Sequence, residues 1–311
     1  MVSLARITFT AVLLLAVPAA ARTLKVGPGQ PYAQPSQAAA AAQDGDHVII
    51  AAGQYFDCAV WHQNNLTVEG ESETGTVITD KTCQGKALFV IPGNNVTVKN
   101  LTLTRARVAD DNGAGIRAEG RNLTIDHVRF IDNQDGILTV DDPQSTLTVR
   151  DSEFTGNGTC DQYCAHAIYA GKLGLLRVER TKFRDTHRGH HIKSRALRTE
   201  IVDCDIADGP NGTASYLVDV PNGGALVVRN SILEKGPHAE NHTAVITIGE
   251  EGVDRPTPEI SIDSNRVNAD GDYPTIFVVN LTATPAVLRG NTLHGKIKPL
   301  RGDGTVSNAA G

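Results

Sequence analysis

The chain has 311 residues, 40% of them hydrophobic, and a formal net charge of −6 at pH 7. This length and composition fit one domain that buries an ample core. A long apolar helix that spans the membrane is excluded, because the apolar run near the start of the chain is too short to cross a bilayer.

Residues 1–21 have the three parts of a secretory signal. Arg6 precedes the apolar run 11–17, and the small residues 19–21 supply a cleavage site. We therefore expect a secreted or periplasmic protein whose mature chain starts near Arg22. In such a compartment disulfides are permitted.

A short helix is predicted next. Pro35-Ser36-Gln37 opens an alanine run that continues to Ala42, and Asp44-Gly45-Asp46 ends it. The first strand follows at Val48. A helix at this place would cover the open end of a stack of strands, where a bare edge invites unwanted pairing.

From residue 66 onward a short apolar alternation of the Leu-Thr-Val type returns every 23 to 34 residues. From the second start on, an apolar residue follows seven positions later, and Asn, Asp and Gly fill the turns between. The starts are Leu66, Val96, Leu123, Leu147, Leu176, Thr199, Leu226, Ile260 and Ala286. Such a period indicates one strand–turn unit stacked on itself, because a single coil cannot bury its inward residues alone.

This repeat resembles that of the right-handed parallel β-helix proteins, the pectate-lyase-like group. The predicted fold is therefore all-β, a right-handed parallel β-helix with a short N-terminal capping helix. The predicted β-helix domain spans residues 22–295. The pattern fades after Leu293, so residues 296–311 are expected to be a C-terminal tail.

The cysteines suggest two disulfides. Cys58 and Cys83 are about one coil apart, and Cys160 and Cys164 would close a small loop. Cys204 stands at an alternating strand position and is expected to be a buried free thiol. A metal site at Cys160 and Cys164 is rejected because no second pair has ligand spacing.

One segment opposes the acidic average. Between residues 172 and 198 nine basic residues face two acidic ones, a surplus of about seven charges that would concentrate an anionic partner. The basic residues are Lys172, Arg177, Arg180, Lys182, Arg184, Arg188, Lys193, Arg195 and Arg198. We expect an acidic polysaccharide or oligosaccharide. Nucleic acid is not expected, because the segment has no aromatic stacking platform and the protein is predicted to be exported.

Aligning the second strand of four coils predicts which side chains share a surface. The inward anchors are Ile116, Ile137, Ile168 and Ile192. Alternation then points the residues one before and one after each anchor outward. After the anchors these are Arg117, Leu138, Tyr169 and Lys193, and before them Gly115, Gly136, Ala167 and His191. Two before the anchors stand Ala114, Asp135, His166 and His190, and Arg195 lies three after the last.

These residue types suit abstraction of the proton α to a uronate carboxylate. The reaction needs a base, cations that neutralise the carboxylate, and an acid for the leaving oxygen. The predicted catalytic residues are His166, Tyr169, His190 and Lys193, with Lys193 or His190 as the base and His166 or Tyr169 as the acid. The predicted substrate-binding residues are Arg117, Asp135, His191 and Arg195, with Asp135 also orienting His166.

Two short motifs resemble those of polysaccharide-modifying families. Lys193-Ser194 is similar to the catalytic Lys-Ser pair of polysaccharide lyase family six. The spacing Tyr163-x-x-His166 resembles that of mannuronan C5-epimerases, although their Asp-Pro-His-Asp motif is absent. The acidic calcium ligands of pectate lyases have no clear counterpart, so we predict no metal and no cofactor. A monomer is expected.

Other interpretations remain open. The basic face would serve equally in a non-catalytic solenoid that binds anionic glycan. A glycoside hydrolase would need paired carboxylates, for which Asp110-Asp111 and Asp141-Asp142 are available at turns. The histidine column is also typical of an internal hydrogen-bond ladder, and Tyr169 of a residue that covers apolar surface.

Overall fold

The computed structural model describes residues 21–307, and the chain in this range is a solenoid of short parallel strands. One α-helix, α1 (Pro35–Ala41), lies between the first two strands. In chain order the strands are β1 (Thr23–Val26), β2 (His47–Ile50), β3 (Gly53–Tyr55), β4 (Ala59–Val60), β5 (Thr67–Gly70), β6 (Thr76–Thr79), β7 (Ala87–Ile91), β8 (Val96–Thr104), β9 (Ala114–Ala118), β10 (Leu123–Ile131), β11 (Asp135–Thr139), β12 (Thr146–Arg150), β13 (Glu153–Thr155), β14 (Thr159–Cys160), β15 (Cys164–Ala165), β16 (Ile168–Ala170), β17 (Leu175–Glu179), β18 (Lys182–Arg184), β19 (His190–Ser194), β20 (Arg198–Val202), β21 (Asp205–Ala207), β22 (Tyr216–Val220), β23 (Ala225–Arg229), β24 (Ile232–Lys235), β25 (Ala244–Ile248), β26 (Ile260–Asp263), β27 (Arg266–Ala269), β28 (Thr275–Asn280), β29 (Ala286–Arg289), β30 (Thr292–Gly295), β31 (Ile297–Arg301) and β32 (Gly304–Ser307).

The strands form three parallel ladders, here called sheets 1, 2 and 3. Sheet 1 runs β1–β2–β5–β8–β10–β12–β17–β20–β23–β26–β29–β32. Sheet 2 runs β3–β6–β8–β10–β13–β18–β21–β24–β27–β30. Sheet 3 has ten strands, β4–β7–β9–β11–β16–β19–β22–β25–β28–β31. The coils are right-handed, so the predicted fold class is confirmed.

A single residue in the left-handed backbone region turns the chain from sheet 1 into sheet 2. These corner residues have φ between 45° and 57° and include several Asn and Asp, which tolerate that conformation best after glycine. They are Asn100, His127, Asp151, Arg180, Asp203, Asn230 and Ser264. Because each corner uses one residue, sheets 1 and 2 keep their relative register from coil to coil.

Aromatic side chains stack along the interior of sheet 2. The ring of Phe154 lies between those of Phe130 and Phe183, with centroid distances of 4.5 and 4.8 Å. Leu123, Leu147 and Leu176 line the interior of sheet 1 in the same coils. All six residues are buried in one continuous core, as the repeat predicts.

The predicted capping helix is present. The side-chain oxygen of Gln37 accepts the backbone N–H groups of Ala33 and Gln34 at its start, and Pro35 occupies its first turn. Ala38 and Ala39 are buried against the first coils. The helix therefore covers the N-terminal end of the core.

The coils continue past the boundary drawn from the sequence. Strand β31 pairs with β28, and β32 pairs with β29, so the solenoid reaches Ser307 within the described range. A boundary at residue 295 is therefore too early for the last coil. The apolar alternation is lost there because each of these end strands has a neighbouring strand on one side only. Polar residues such as Lys298 and Thr305 can therefore occupy them.

The two predicted disulfides are present. Cys58 bonds to Cys83 between neighbouring coils, and Cys160 bonds to Cys164 across the two-stranded ribbon of β14 and β15. Cys204 is a buried free thiol, as predicted.

The predicted signal segment lies outside the described residues, apart from Ala21. Between residues 21 and 307 no helix is long and apolar enough to cross a membrane.

Replacing Phe154 by Ala should lower the free energy of unfolding by about 3–5 kcal/mol, because the change removes a ring held between two others and leaves a cavity. Urea denaturation followed by circular dichroism measures the loss. Phe56, which is 62% exposed, provides the control. Its replacement by Ala should change stability by less than about 0.5 kcal/mol. Equal effects at the two positions would contradict the stacked core.

Candidate active site on sheet 3

The strands of sheet 3 pair in the predicted register. Ile116, Ile137, Ile168 and Ile192 are successive partners in β9, β11, β16 and β19. One position later the outward column runs Arg117, Leu138, Tyr169, Lys193 and Asp219. The register therefore brings Tyr169 and Lys193 side by side, about 5 Å apart along the stack.

The predicted column of Asp135, His166 and His190 forms a ladder from coil to coil. The Oδ1 atom of Asp135 accepts the backbone N–H of His166 at 2.7 Å, and His166 Nδ1 accepts that of His190 at 3.0 Å. His190 Nδ1 then accepts the backbone N–H of Tyr216 at 3.1 Å. The rings of His166, His190 and Tyr216 stack, with centroids 4.9 and 5.3 Å apart.

This ladder fixes the protonation of both histidines. An Nδ1 atom that accepts a backbone N–H carries no proton, so the neutral ring has its proton on Nε2. Burial, together with the charges of Lys193 and Arg195, holds the pKa of His166 well below its usual value. Burial, the adjoining ring of His166 and the charge of Lys193 do the same to the pKa of His190. Both rings are neutral hydrogen-bond donors at Nε2, so His190 has no free lone pair with which to act as the base.

Tyr169 lies at the centre of the cationic part of the site. The Nε atom of Arg195 donates to the Tyr169 hydroxyl at 3.1 Å. Lys193 Nζ and Arg195 Cζ lie 5.9 and 5.7 Å from the Tyr169 ring centroid, and His166 meets the ring edge-on at 5.0 Å. Arg195 also donates to the side chain of Asn222. Tyr169 therefore contacts three predicted site residues and is more than an apolar cover.

Two carboxylates that the sequence prediction missed complete the site. Asp219 Oδ2 lies 3.4 Å from both His190 Nε2 and Lys193 Nζ. Glu251 lies in the loop after β25, with Oε1 2.7 Å from Lys193 Nζ and Oε2 2.7 Å from Arg195 Nη2. Glu251 belongs to the longest repeat, the 34 residues from Leu226 to Ile260, and that excess length was the available signal.

Asp219 has a pKa near neutrality. Burial raises the pKa of its carboxyl to about 6, although the neighbouring charge of Lys193 opposes the shift. The Thr247 hydroxyl donates to its other oxygen at 2.9 Å. Asp219 is therefore an ionisable group in direct reach of Lys193 and His190.

Two predicted substrate contacts are wrong. Asp135 is fully buried, and its carboxylate holds the backbone of His166 rather than a ligand or the imidazole. His191 is also fully buried, bonded to Thr186 and Asp208, and its ring meets Phe183 edge-on.

His191 faces inward because strict alternation fails within these strands. A Cβ atom added at Gly115 or Gly136 would meet Phe130 or Phe154, so this column points into the core with the isoleucines. The small residues there make room for the phenylalanine stack in the core and do not form a depression in the outer surface.

Of the other two predicted contacts, Arg195 lies beside Tyr169. Arg117 stays on the outer face near Glu119, two coils before Tyr169. Beside Tyr169 lies an open groove of about 370 Å³. Its lining includes Leu138, Gly171, Lys172, Arg195 and Asp254. Tyr169 and Arg195 therefore both border this groove.

The surplus of positive charge counted along the chain is largely neutralised in space. Arg177 pairs with Glu200, Arg180 with Asp151, and Arg198 with Glu259, each on another coil. The segment is therefore a set of ion pairs over most of its length, and its field is weaker than the sequence count suggests.

One cluster in the described chain has the geometry of possible metal ligands. The carboxylates of Asp126 and Asp151 and the ring of His127 lie within 4.8 Å of one another at the corner between sheets 1 and 2. Arg150 bonds to Asp126 and Arg180 to Asp151, so these arginines already supply the positive charge there.

Comparison with known proteins supports the fold. A family described as "Right handed beta helix region" matches residues 36–171. An alginate lyase from Paenibacillus sp. strain FPU-7 has a TM-score of 0.63 at 16% identity, covering 93% of this chain and 99% of that one. A pectin methylesterase from Aspergillus niger has a TM-score of 0.45 at 10% identity, covering 93% and 92%. That of Erwinia chrysanthemi has a TM-score of 0.39 at 12% identity, covering 91% and 81%.

The alginate lyase likeness shows the fold alone, and the two pectin methylesterase likenesses are too weak to carry an argument. A search of curated protein sequences finds none that matches the chain. The chain therefore has the right-handed β-helix fold, and the family match covers less than half of its 311 residues.

Replacing Asp135 by Asn should change how stability depends on pH. Burial raises the pKa of this carboxyl from its usual 3.8 to about 8. Between pH 3.8 and pH 8 the Asp135 carboxyl keeps its proton in the folded state but has lost it in the unfolded state. The free energy of unfolding of the wild type should therefore fall as pH rises, by up to about 1.4 kcal/mol per pH unit.

The Asn side chain keeps an acceptor for His166 but does not titrate. The variant should therefore gain stability relative to the wild type steadily from pH 4 to pH 8, as measured by urea unfolding at each pH. A difference that stays constant across this range would show that Asp135 is ionised in the folded protein.

Proposed function

We propose that this chain is an exported enzyme that acts on a uronate-containing polysaccharide by abstracting the proton α to the uronate carboxylate, as a lyase or an epimerase does. The observation that carries the proposal is the arrangement around Tyr169. Lys193 and Arg195 together hold one carboxylate, and Arg195 simultaneously donates to the Tyr169 hydroxyl. A carboxylate-binding pair is thus joined directly to a group that can transfer a proton.

In this proposal Arg195 binds the substrate carboxylate. Removal of the α proton leaves an electron pair that delocalises into that carboxylate as an enolate, and a fixed guanidinium stabilises the added charge. Arg195 suits this role because its planar donor fork is held in place by Asn222 and Tyr169.

Lys193 is the proposed base. Before it can accept the α proton, its ammonium group must pass a proton to a carboxylate in reach, Asp219 Oδ2 at 3.4 Å, after Glu251 has left. His190 is assigned a supporting part, because its Nε2–H faces Asp219. Together these contacts hold Lys193 beside Tyr169 while the base accepts the α proton.

Tyr169 is the proposed acid. Since Arg195 donates to the phenol oxygen, the phenol proton is free to go to the leaving glycosidic oxygen. The C–O bond then breaks as the enolate electrons form a carbon–carbon double bond, which is the lyase outcome. Return of a proton to the opposite face of the sugar without bond cleavage gives the epimerase outcome.

Other observations support the proposal. The alginate lyase from Paenibacillus shares this fold over 93% of the chain. The two disulfides fit an oxidising compartment outside the cytoplasm. Arg117 lies on the same outer face, roughly 10 Å along the stack from Tyr169, where a neighbouring carboxylate of a polymer would pass.

The Lys193→Ala and Tyr169→Phe variants should each lose about 10²–10⁴-fold in activity, the usual contribution of a positioned acid or base. The wild type is first incubated with a panel of acidic polysaccharides. Ultraviolet absorbance detects unsaturated uronate, and proton exchange in deuterated water detects epimerisation. The Lys182→Ala variant is the control, since Lys182 is an exposed lysine of the same basic segment on sheet 2.

Retention of activity by Lys193→Ala would reject Lys193 as the base. If the wild type binds acidic polysaccharide in a salt-dependent manner but forms no product, the enzyme proposal fails. The outer face of sheet 3 is then a binding surface, which is the non-catalytic alternative.

A further inference from the structure

The site is already filled by a carboxylate of the chain itself. Glu251 reaches back from the loop after β25 and places one oxygen on Lys193 and the other on Arg195, each at 2.7 Å. This is how a bound carboxylate would be held by the same two cations. Its neighbour Glu250 points elsewhere and accepts the Tyr216 hydroxyl at 2.8 Å.

The Glu251 side chain can leave without movement of the loop. The backbone is anchored, with the N–H of Glu251 bonded to the Pro221 carbonyl at 2.9 Å and that of Gly249 to the Val220 carbonyl at 2.9 Å. The side chain is 44% exposed and has solvent beside it. Lys193 and Arg195 are only 11% and 19% exposed, so rotation of Glu251 away leaves two largely desolvated cations unpaired unless another carboxylate takes its place.

Acid alone does not release this carboxylate in the usual range. Burial opposes ionisation, but the hydrogen bonds from Lys193 and Arg195 prevail and lower the pKa of Glu251. Glu251 therefore stays charged at pH values where a uronate is also charged. What removes it from the cations is competition by another carboxylate.

We infer that Lys193 and Arg195 form a carboxylate-binding subsite whose resident occupant is Glu251, and that a polyuronate chain displaces Glu251 whereas a single uronate does not. This inference rests on the proposed function and names its substrate as a chain. Glu251 would then act as a selectivity group that excludes small free carboxylates from the site.

The preference for a chain follows from tethering. A group attached nearby competes as if it were present at a concentration of the order of millimolar, which a dilute monomer does not match. A polymer brings further contacts along sheet 3, where Arg117 lies two coils before Tyr169 and Lys172 lines the groove beside it. Those contacts supply the additional affinity that displacement of Glu251 requires.

Glu251→Gln tests this directly, since it keeps the shape of the side chain and removes its charge. Isothermal titration at low salt with sodium galacturonate as the monomeric probe should show binding at least about ten-fold tighter than to the wild type. Glu250→Gln is the matched control, because Glu250 is in the same loop but does not touch Lys193 or Arg195. Its affinity for the probe should equal that of the wild type.

Adding Lys193→Ala to Glu251→Gln should abolish the gain, which shows that the probe occupies the named subsite. Galactose, which lacks the carboxylate, should not bind any variant more tightly. Unchanged or weaker binding of galacturonate by Glu251→Gln, in protein whose circular dichroism matches the wild type, would overturn the inference.

The measurement uses binding and not turnover, so it separates the two proposals. A gain in affinity without product formation from any polymer supports the subsite and rejects the enzyme. Product formation with no gain in affinity supports the enzyme and rejects Glu251 as the resident occupant.

Discussion

Apart from the β14–β15 ribbon, every strand in the described range depends on a strand one coil away for its backbone hydrogen bonds. On sheet 3 part of that demand is met by side chains, because Asp135, His166 and His190 each accept the backbone N–H of the residue above. Buried donors must be paired, so these side chains are fixed by the same requirement that holds the coils together. The geometry beside Tyr169 is therefore a product of the stacking itself.

Charge in this molecule is balanced between coils more than along the chain. The arginines of the basic segment meet carboxylates of the coils on either side, as Arg177 meets Glu200 and Arg184 meets Asp205. Lys193 and Arg195 differ from them because the partner they share, Glu251, comes from an irregular loop, although Lys193 also meets Asp219 of the neighbouring strand β22. An occupant supplied by a loop can leave without disturbing the ladder beneath it.

The fold and much of the site follow from the sequence because stacked coils convert spacing into position. The alignment of Ile116, Ile137, Ile168 and Ile192 predicts the observed pairing and so places Tyr169 next to Lys193. It fails at His191, since alternation assumes a regular pleat and the strand presents two successive residues to the core.

Glu251 could not be placed from the sequence for a different reason. A loop of irregular length has no period, and its contacts depend on a path that only the folded chain defines. The sequence also leaves open which residues of β22 point outward. Tyr216 and Asp219 both suit an outer face, and the two residues between them are apolar. Sequence patterns thus located the cations of the site but not the carboxylates that oppose them.

The unequal length of the coils has an evolutionary consequence. The extra residues of the longest repeat leave the ladders of sheets 1 and 2 in register, since Leu226 still pairs with Ile260 across the 34-residue interval. Insertions and deletions in that connection are therefore absorbed outside the core. A descendant of this protein can exchange the loop that carries Glu251, and with it the carboxylate that opposes Lys193 and Arg195, without any compensating change in the coils that support it.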